Sequence, residues 1–277
     1  MSERAPALQS GRVDGVSKRP GVCAVIPAYN EAATIREVII GVRAHLDCVI
    51  VVDDGSQDGT AAALADLDGV TLLRHERNAG KAQTLLTGFA HALAQGAGAV
   101  VTLDGDGQHR PEDLPRLLAL HARRPGALLI AARTRRRELS PGIRRMANLI
   151  ADFWISWAAG RLIHDSQSGF RVYPARFLDP LPAAPPRRDG FTFETALLIR
   201  AAHCNVPFLY LDIDTRYFAG QRPSHYRHYD TWRIVVYVAG QLLRRGMNPL
   251  GLPVALSRLW RRRPHTVDAR DLPTASS

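Results

Sequence analysis

Between residues 22 and 132 short apolar runs alternate with amphipathic stretches, and this alternation leaves few architectures open. Val22–Ile26, ended by Pro27, reads as a buried strand. Asn30 can cap a following helix whose apolar Ile35, Val38, Ile39, Val42 and Leu46 recur three and four residues apart. Cys48–Val52 repeats the strand pattern, Asp58–Leu67 suits a helix, Val70–Leu73 a strand, Lys81–Gln95 a helix and Ala99–Leu103 a strand. Pro111 fits the first position of a helix carrying Leu114, Leu117 and Leu118, and Ala127–Ala131 closes the series. Strands and helices alternating at this pitch predict an α/β fold, a mostly parallel sheet with helices on both faces. Such sheets bind ligands at the carboxyl ends of their strands.

After residue 132 the rhythm breaks. Arg133, Arg135, Arg136 and Arg137 form a charge run, Met146–Leu162 has helical apolar spacing, and Ser166–Arg171 is a loop leading into a short strand. Pro180–Pro186 reads as a connection, Phe193–Ala202 as a helix, Pro207–Tyr217 as one or two strands and Tyr226–Leu243 as a helix. The expected organisation is a mobile arm over 1–20, a catalytic domain over 21–220, a helical, membrane-contacting region over 221–257 and a basic, flexible tail over 258–277.

Composition narrows the function classes. With 46% hydrophobic and 22% charged residues, global disorder and collagen-like fibres are excluded. A net charge of +10 points to anionic partners: nucleic acid, acidic lipid headgroups or phosphorylated substrates. Cys23, Cys48 and Cys204 show no metal spacing and read as reduced, cytosolic thiols. The N-terminus has no apolar signal region, and no apolar run reaches the roughly 18 residues that a bilayer span requires.

The chemistry concentrates at strand ends. Asp104-Gly-Asp-Gly-Gln-His109 follows an apolar strand and places two carboxylates one residue apart on a turn. Asp104, Asp106 and the Gln108 amide make an all-oxygen set suited to magnesium or manganese, although an acidic turn capping the next helix has the same look. In Asp53-Asp54-Gly-Ser-Gln-Asp-Gly-Thr60 the carboxylates can accept from a nucleobase edge, while Asp58 can serve as a helix cap. Pro27-Ala-Tyr-Asn-Glu31 offers Tyr29 to lie against a base or ribose and Glu31 as an acceptor.

These motifs, the Asn78-Ala-Gly-Lys81-Ala segment and Asp165-Ser-Gln-Ser-Gly-Phe-Arg171 occur in an order that resembles glycosyltransferase family 2 over about residues 22–220. Within it the chain is similar to the dolichol- or polyprenol-phosphate mannosyl- and glucosyltransferase branch. The resemblance implies a GT-A (Rossmann-like) fold with a C-terminal acceptor-side region, a nucleotide-sugar donor, inversion, and a Mg or Mn ion on the donor diphosphate. It implies donor contacts from Pro27, Tyr29, Glu31, Asp53, Asp54, Lys81, Asp104 and Gly105, metal ligation by Asp104, Asp106 and Gln108, and an acceptor side shaped by Ser168, Gly169, Phe170 and Arg171. The transmembrane helices that some branch members append are missing.

The nucleophile decides which further residues matter. A lipid phosphate is already ionised, whereas a lipid or glycan hydroxyl needs a carboxylate to take its proton. Asp165 and Glu194 are the candidate bases, and Asp106 is expected to be catalytic through the metal it would hold; Asp165 equally suits orienting its loop, and Glu194 equally suits the dipole of a helix start. Arg133, Arg171 and Arg222 can each present a bidentate fork to phosphate. His109 and His225 lack metal-ligand spacing. The apolar Met146–Leu162 helix with Arg244, Arg245 and Arg261–Arg263 fits either a core helix with a solvated tail or contact with an anionic membrane surface. A nucleic-acid-binding module would account for the charge but lacks a reading helix or stacking platform, so no nucleic-acid partner is expected. The reading is a transferase making a polyprenyl-phosphate sugar, cytoplasmic and peripheral on the inner face of the cytoplasmic membrane. The alternatives are a hydroxyl acceptor and, remotely, the nucleic-acid module.

Overall fold

A computed structural model describes residues 21–133, 142–181, 190–213 and 228–260. Its strands are β1 (Val22–Ala28), β2 (Cys48–Asp53), β3 (Val70–Arg74), β4 (Ala99–Thr102), β5 (Leu128–Ala132), β6 (Arg171–Pro174) and β7 (Phe208–Asp212). The helices are α1 (Ile35–Arg43), α2 (Lys81–Ala94), α3 (Leu114–Arg123), α4 (Gly142–Ala159), α5 (Ala175–Leu178), α6 (Gly190–His203), α7 (His228–Arg244) and α8 (Gly251–Trp260). The sheet runs β3-β2-β1-β4-β6-β5-β7 and is parallel except for β6, which pairs antiparallel with β4 and β5.

Strand alternation divides the core into two layers. Cys23, Val25, Ile50 and Val52 face α2, α4, α6 and α7, while Ala24, Ile26, Val49 and Val51 face α1 and α3. Helices therefore cover both faces, as the alternation anticipates, and the arrangement is the GT-A-like one that the family resemblance implies. Ile234, Val238 and Leu242 of α7 enter the first layer, so this C-terminal helix packs into the same core as the sheet.

Several local expectations give way. Asp58–Leu67 is not a helix: only a single 3-10 turn forms at Ala62–Leu64. Asp58 instead accepts from Thr60 N and from Ala32 N, and Gly59 sits at φ 91°. Asn30 does not cap α1; it lies at φ 57° and its Oδ1 accepts from Gln57 N, while the helix starts after Thr34. Cys23 and Cys48 are not free thiols but a disulfide, because parallel register sets them side by side with Cα atoms 4.7 Å apart. Cys204 is free and exposed. Of the 258–277 tail, 258–260 belong to α8, while 261–277, the 1–20 arm, Pro182–Pro186, Arg222 and His225 lie outside the described residues.

Candidate active site

The loops after β1, β2 and β4 meet at one edge of the sheet and are sewn together by short polar bonds. Asn30 N donates to Ser56 Oγ at 2.9 Å, Glu31 N to Thr60 Oγ1 at 2.9 Å, and Thr34 Oγ1 to Gly105 O at 2.7 Å. The three motifs thereby lie side by side at the carboxyl ends of these strands, with Tyr29, Glu31, Asp104, Asp106 and Gln108 each half-buried. Pro27 is a half-buried residue within β1 itself.

The two carboxylates after β2 have different surroundings. Asp54 accepts from Ala79 N at 2.9 Å, Gly80 N at 2.8 Å and His75 Nδ1 at 2.7 Å, so it buttresses the approach to α2. Asp53 Oδ1 accepts from Ser56 N at 2.9 Å, and Arg74 Nε lies 3.2 Å from Oδ2. Both Asp54 oxygens are thus engaged, whereas Asp53 Oδ2 is buried without a hydrogen bond among the described residues.

Lys81 begins α2 and points at the turn after β4. Its Nζ is 2.7 Å from Asp104 Oδ1 and 3.2 Å from Glu194 Oε2. Burial works against the ammonium, but Asp104 and then Glu194 outweigh it and raise Lys81 above the ordinary lysine range. Burial likewise pushes Asp104 up, and Lys81 overrides it to hold the carboxyl below its usual range. Asp106 has no such partner: burial, then the Asp104 charge, raise it to about 6. Its Oδ1 accepts from Gln108 N at 3.0 Å.

This donor set fits a hard divalent ion. Two crowded carboxylates carry more negative charge than Lys81 balances, and a cation is what would relieve it. Among the described residues no group of three or more His, Cys, Asp and Glu gathers around a metal position. Two carboxylates and an amide suffice for magnesium, which completes its shell with water and substrate phosphates. His109 adds no charge, because burial lowers its imidazole to about 4, and its ring packs 5.6 Å from that of Phe170.

On the opposite side Gly169 abuts the same turn. A Cβ there would run into Asp104 Oδ2, so only glycine lets this backbone approach the carboxylate. Thr102 Oγ1 donates to Gly169 O at 2.8 Å, Ser168 Oγ to Ala131 O at 2.7 Å, and Phe170 is fully buried. Arg171 corrects an expectation: instead of offering a fork to phosphate it is fully buried, donating to Ser166 O at 2.6 Å and to Tyr173 Oη at 3.0 Å. Its charge is spent on holding the loop from inside.

Arg133 and Asp165 form a closed pair. The Arg133 guanidinium donates from Nε at 2.9 Å and Nη2 at 2.7 Å, and its backbone N donates to Asp165 Oδ2 at 2.7 Å. Asp165 sits at φ 49°, a left-handed conformation costly for a non-glycine residue, and the pair over-determines it. Asp152 is the partner that sequence reasoning passed over. Fully buried on α4, it accepts from Asp165 N at 3.2 Å and Ser166 N at 2.8 Å. As the one acid of α4, set directly between Ala151 and Phe153 on a helix otherwise charged only by Arg144 and Arg145, it carried a signal in the sequence.

The chain is similar to known proteins. Residues 23–177 match Glycosyl transferase family 2. The polyprenol monophosphomannose synthase of Mycolicibacterium smegmatis is 34% identical over 73% of this chain and 80% of its own length. The UDP-N-acetylglucosamine–dolichyl-phosphate N-acetylglucosaminyltransferase of Methanococcus voltae is 29% identical over 63% of this chain and 78% of its own. Among solved structures, glucosyl-3-phosphoglycerate synthase from Mycobacterium tuberculosis, in complex with Mn2+, UDP and phosphoglyceric acid, superposes with a TM-score of 0.61 at 24% identity. That superposition covers 80% of this chain and 78% of the other, and its likeness is one of fold.

Proposed function

The chain belongs to glycosyl transferase family 2, and from that premise we propose that it transfers a sugar, with inversion, from a nucleotide-sugar to a membrane polyprenyl phosphate. It is a glycosyltransferase; the acceptor is the inference, and one observation carries it. Both carboxylates that would deprotonate a hydroxyl are engaged in ion pairs, Glu194 with Lys81 and Asp165 with Arg133. A hydroxyl acceptor needs such a base, while a lipid phosphate arrives ionised. The names of the relatives, both acting on polyprenyl phosphates, point the same way.

In this reading the loops after β1 and β2 receive the nucleotide, with Tyr29 and Glu31 on the first of them. Asp104, Asp106 and Gln108 would hold Mg or Mn, which when bound neutralises charge growing on the leaving diphosphate. Lys81 supplies a fixed positive charge beside that position. The Gly169 backbone closes on Asp104, and the Arg133–Asp165 pair with Asp152 keeps the 165–171 loop in register.

Among the described residues no helix is long and apolar enough to cross a membrane, and the proposal places the protein peripherally on the inner face of the cytoplasmic membrane. The test is a screen of GDP- and UDP-sugars with the purified chain and a polyprenyl phosphate, products identified by mass spectrometry. A polyprenyl-phosphate sugar is the expected product; transfer only to hydroxyl acceptors would overturn the reading.

A further inference from the structure

We infer that the hairpin joining α7 to α8 is the surface by which the chain docks on an anionic lipid bilayer; the inference rests on the polyprenyl-phosphate reading above. Leu243, Met247 and Leu250 are 69%, 44% and 85% exposed within a single turn region, and Arg244 and Arg245 between them are exposed too. Large apolar side chains clustered at this level of exposure mark an interaction site.

The hairpin is fastened rather than frayed. Trp157 Nε1 on α4 donates to Met247 O at 2.9 Å, and Asn248 Nδ2 returns a bond to Trp157 O at 2.7 Å. Met247 and Asn248 both adopt positive φ, 62° and 41°, which turns the chain sharply between the helices. A Cβ on Gly251 would collide with Trp157 O, so the start of α8 lies against the end of α4. The leucines are thus displayed on a preformed turn, which lowers the ordering cost of docking.

Charge selects the occupant. Residues 231–267 contain no Asp or Glu, while Arg233, Arg244, Arg245 and Arg258 fall within α7, the turn and α8. Nucleic acid would attract the arginines but gain nothing from exposed leucines. A second copy packed on the same face would bring arginines against arginines. An anionic bilayer satisfies both: guanidinium groups lie among the headgroups and the leucines enter the acyl boundary. Such docking also fits the proposed acceptor, whose polyprenyl tail stays in the membrane.

Flotation with equimolar phosphatidylglycerol–phosphatidylcholine vesicles, and with phosphatidylcholine alone, tests the inference. The full chain should float with the anionic vesicles, and L243E/L250E should lower the bound fraction by about tenfold or more. Ile40→Glu, an exposed apolar residue on α1 across the sheet, should leave it unchanged. R244Q/R245Q should abolish the preference for anionic vesicles. Equal flotation of L243E/L250E and the unmodified chain would overturn the proposal, as would salt-insensitive binding to phosphatidylcholine. A dimer dissolved by L243E/L250E, with no vesicle binding, would overturn it in favour of a second copy. Turnover of a short-chain, water-soluble polyprenyl phosphate separates the two readings. It should be equal in the unmodified chain and L243E/L250E, and its absence from both would instead defeat the acceptor assignment on which the docking rests.

Discussion

Lys81 Nζ stands 2.7 Å from Asp104 Oδ1, so the first residue of α2 is ion-paired to the first residue of the metal-type turn after β4. The same ammonium reaches Glu194 on α6 at 3.2 Å, and three separate elements converge on one positive charge. The proposed catalytic edge is therefore held by electrostatics as well as by packing.

Replacing Lys81 by Met should leave Asp104 and Glu194 repelling each other without a counter-ion. Breaking one partner of a well-buried pair costs about 3–5 kcal/mol, and partial exposure here reduces the expected loss to about 2 kcal/mol. Urea denaturation at neutral pH measures it. Adding Glu194→Gln to the Met variant should recover part of the loss; a Met variant as stable as the parent would show that the contact is not formed in solution.

Asp106→Asn removes one charge from the turn while keeping its shape. Nucleoside diphosphate binding, followed by calorimetry, should depend on Mg or Mn in the parent and lose most of that dependence in the variant. Turnover should fall by roughly a thousandfold, the scale of losing metal stabilisation of a leaving diphosphate. Unchanged affinity after chelation in the parent would remove the metal from the scheme.

Glu194→Gln discriminates between acceptors. With a polyprenyl phosphate the nucleophile is already ionised, and kcat should fall by less than about tenfold. For a hydroxyl acceptor the loss of a general base would lower kcat by roughly 10² to 10⁴ with donor affinity intact. The larger effect would assign the enzyme to hydroxyl acceptors.

Asp165→Asn separates support from catalysis. The carboxylate is 3% exposed and receives three bonds from Arg133, so the variant should lose about 3 kcal/mol of stability. Thermal denaturation should show the drop, and kcat of the folded fraction should change little. A stable variant with a collapsed kcat would instead make Asp165 a catalytic base.

Much of this protein was legible within short windows of sequence. β1 to β5 fall within about two residues of their expected bounds, because apolar runs and their turn residues encode a buried strand locally. The motifs after β1, β2 and β4 were found for the same reason: each follows a strand end, and a parallel sheet gathers those ends on one edge. Where a side chain bonded across the fold, local pattern misled. Asp58 looked like the cap of a helix, yet its carboxylate reaches Ala32 and the helix does not form.

Tertiary structure alone decided the rest, and the reason is distance along the chain. β6 slips antiparallel between β4 and β5, an arrangement set by long-range pairing that no local period records. Arg171 carried the composition of a phosphate ligand until that insertion buried it completely. Glu194 became the partner of Lys81, and Asp152 the support of Asp165, only when α6 and α4 packed against the sheet. Residue type and strand position determined which groups could do chemistry here; packing determined which of them are charged, paired and open to a ligand, because burial and neighbours set both.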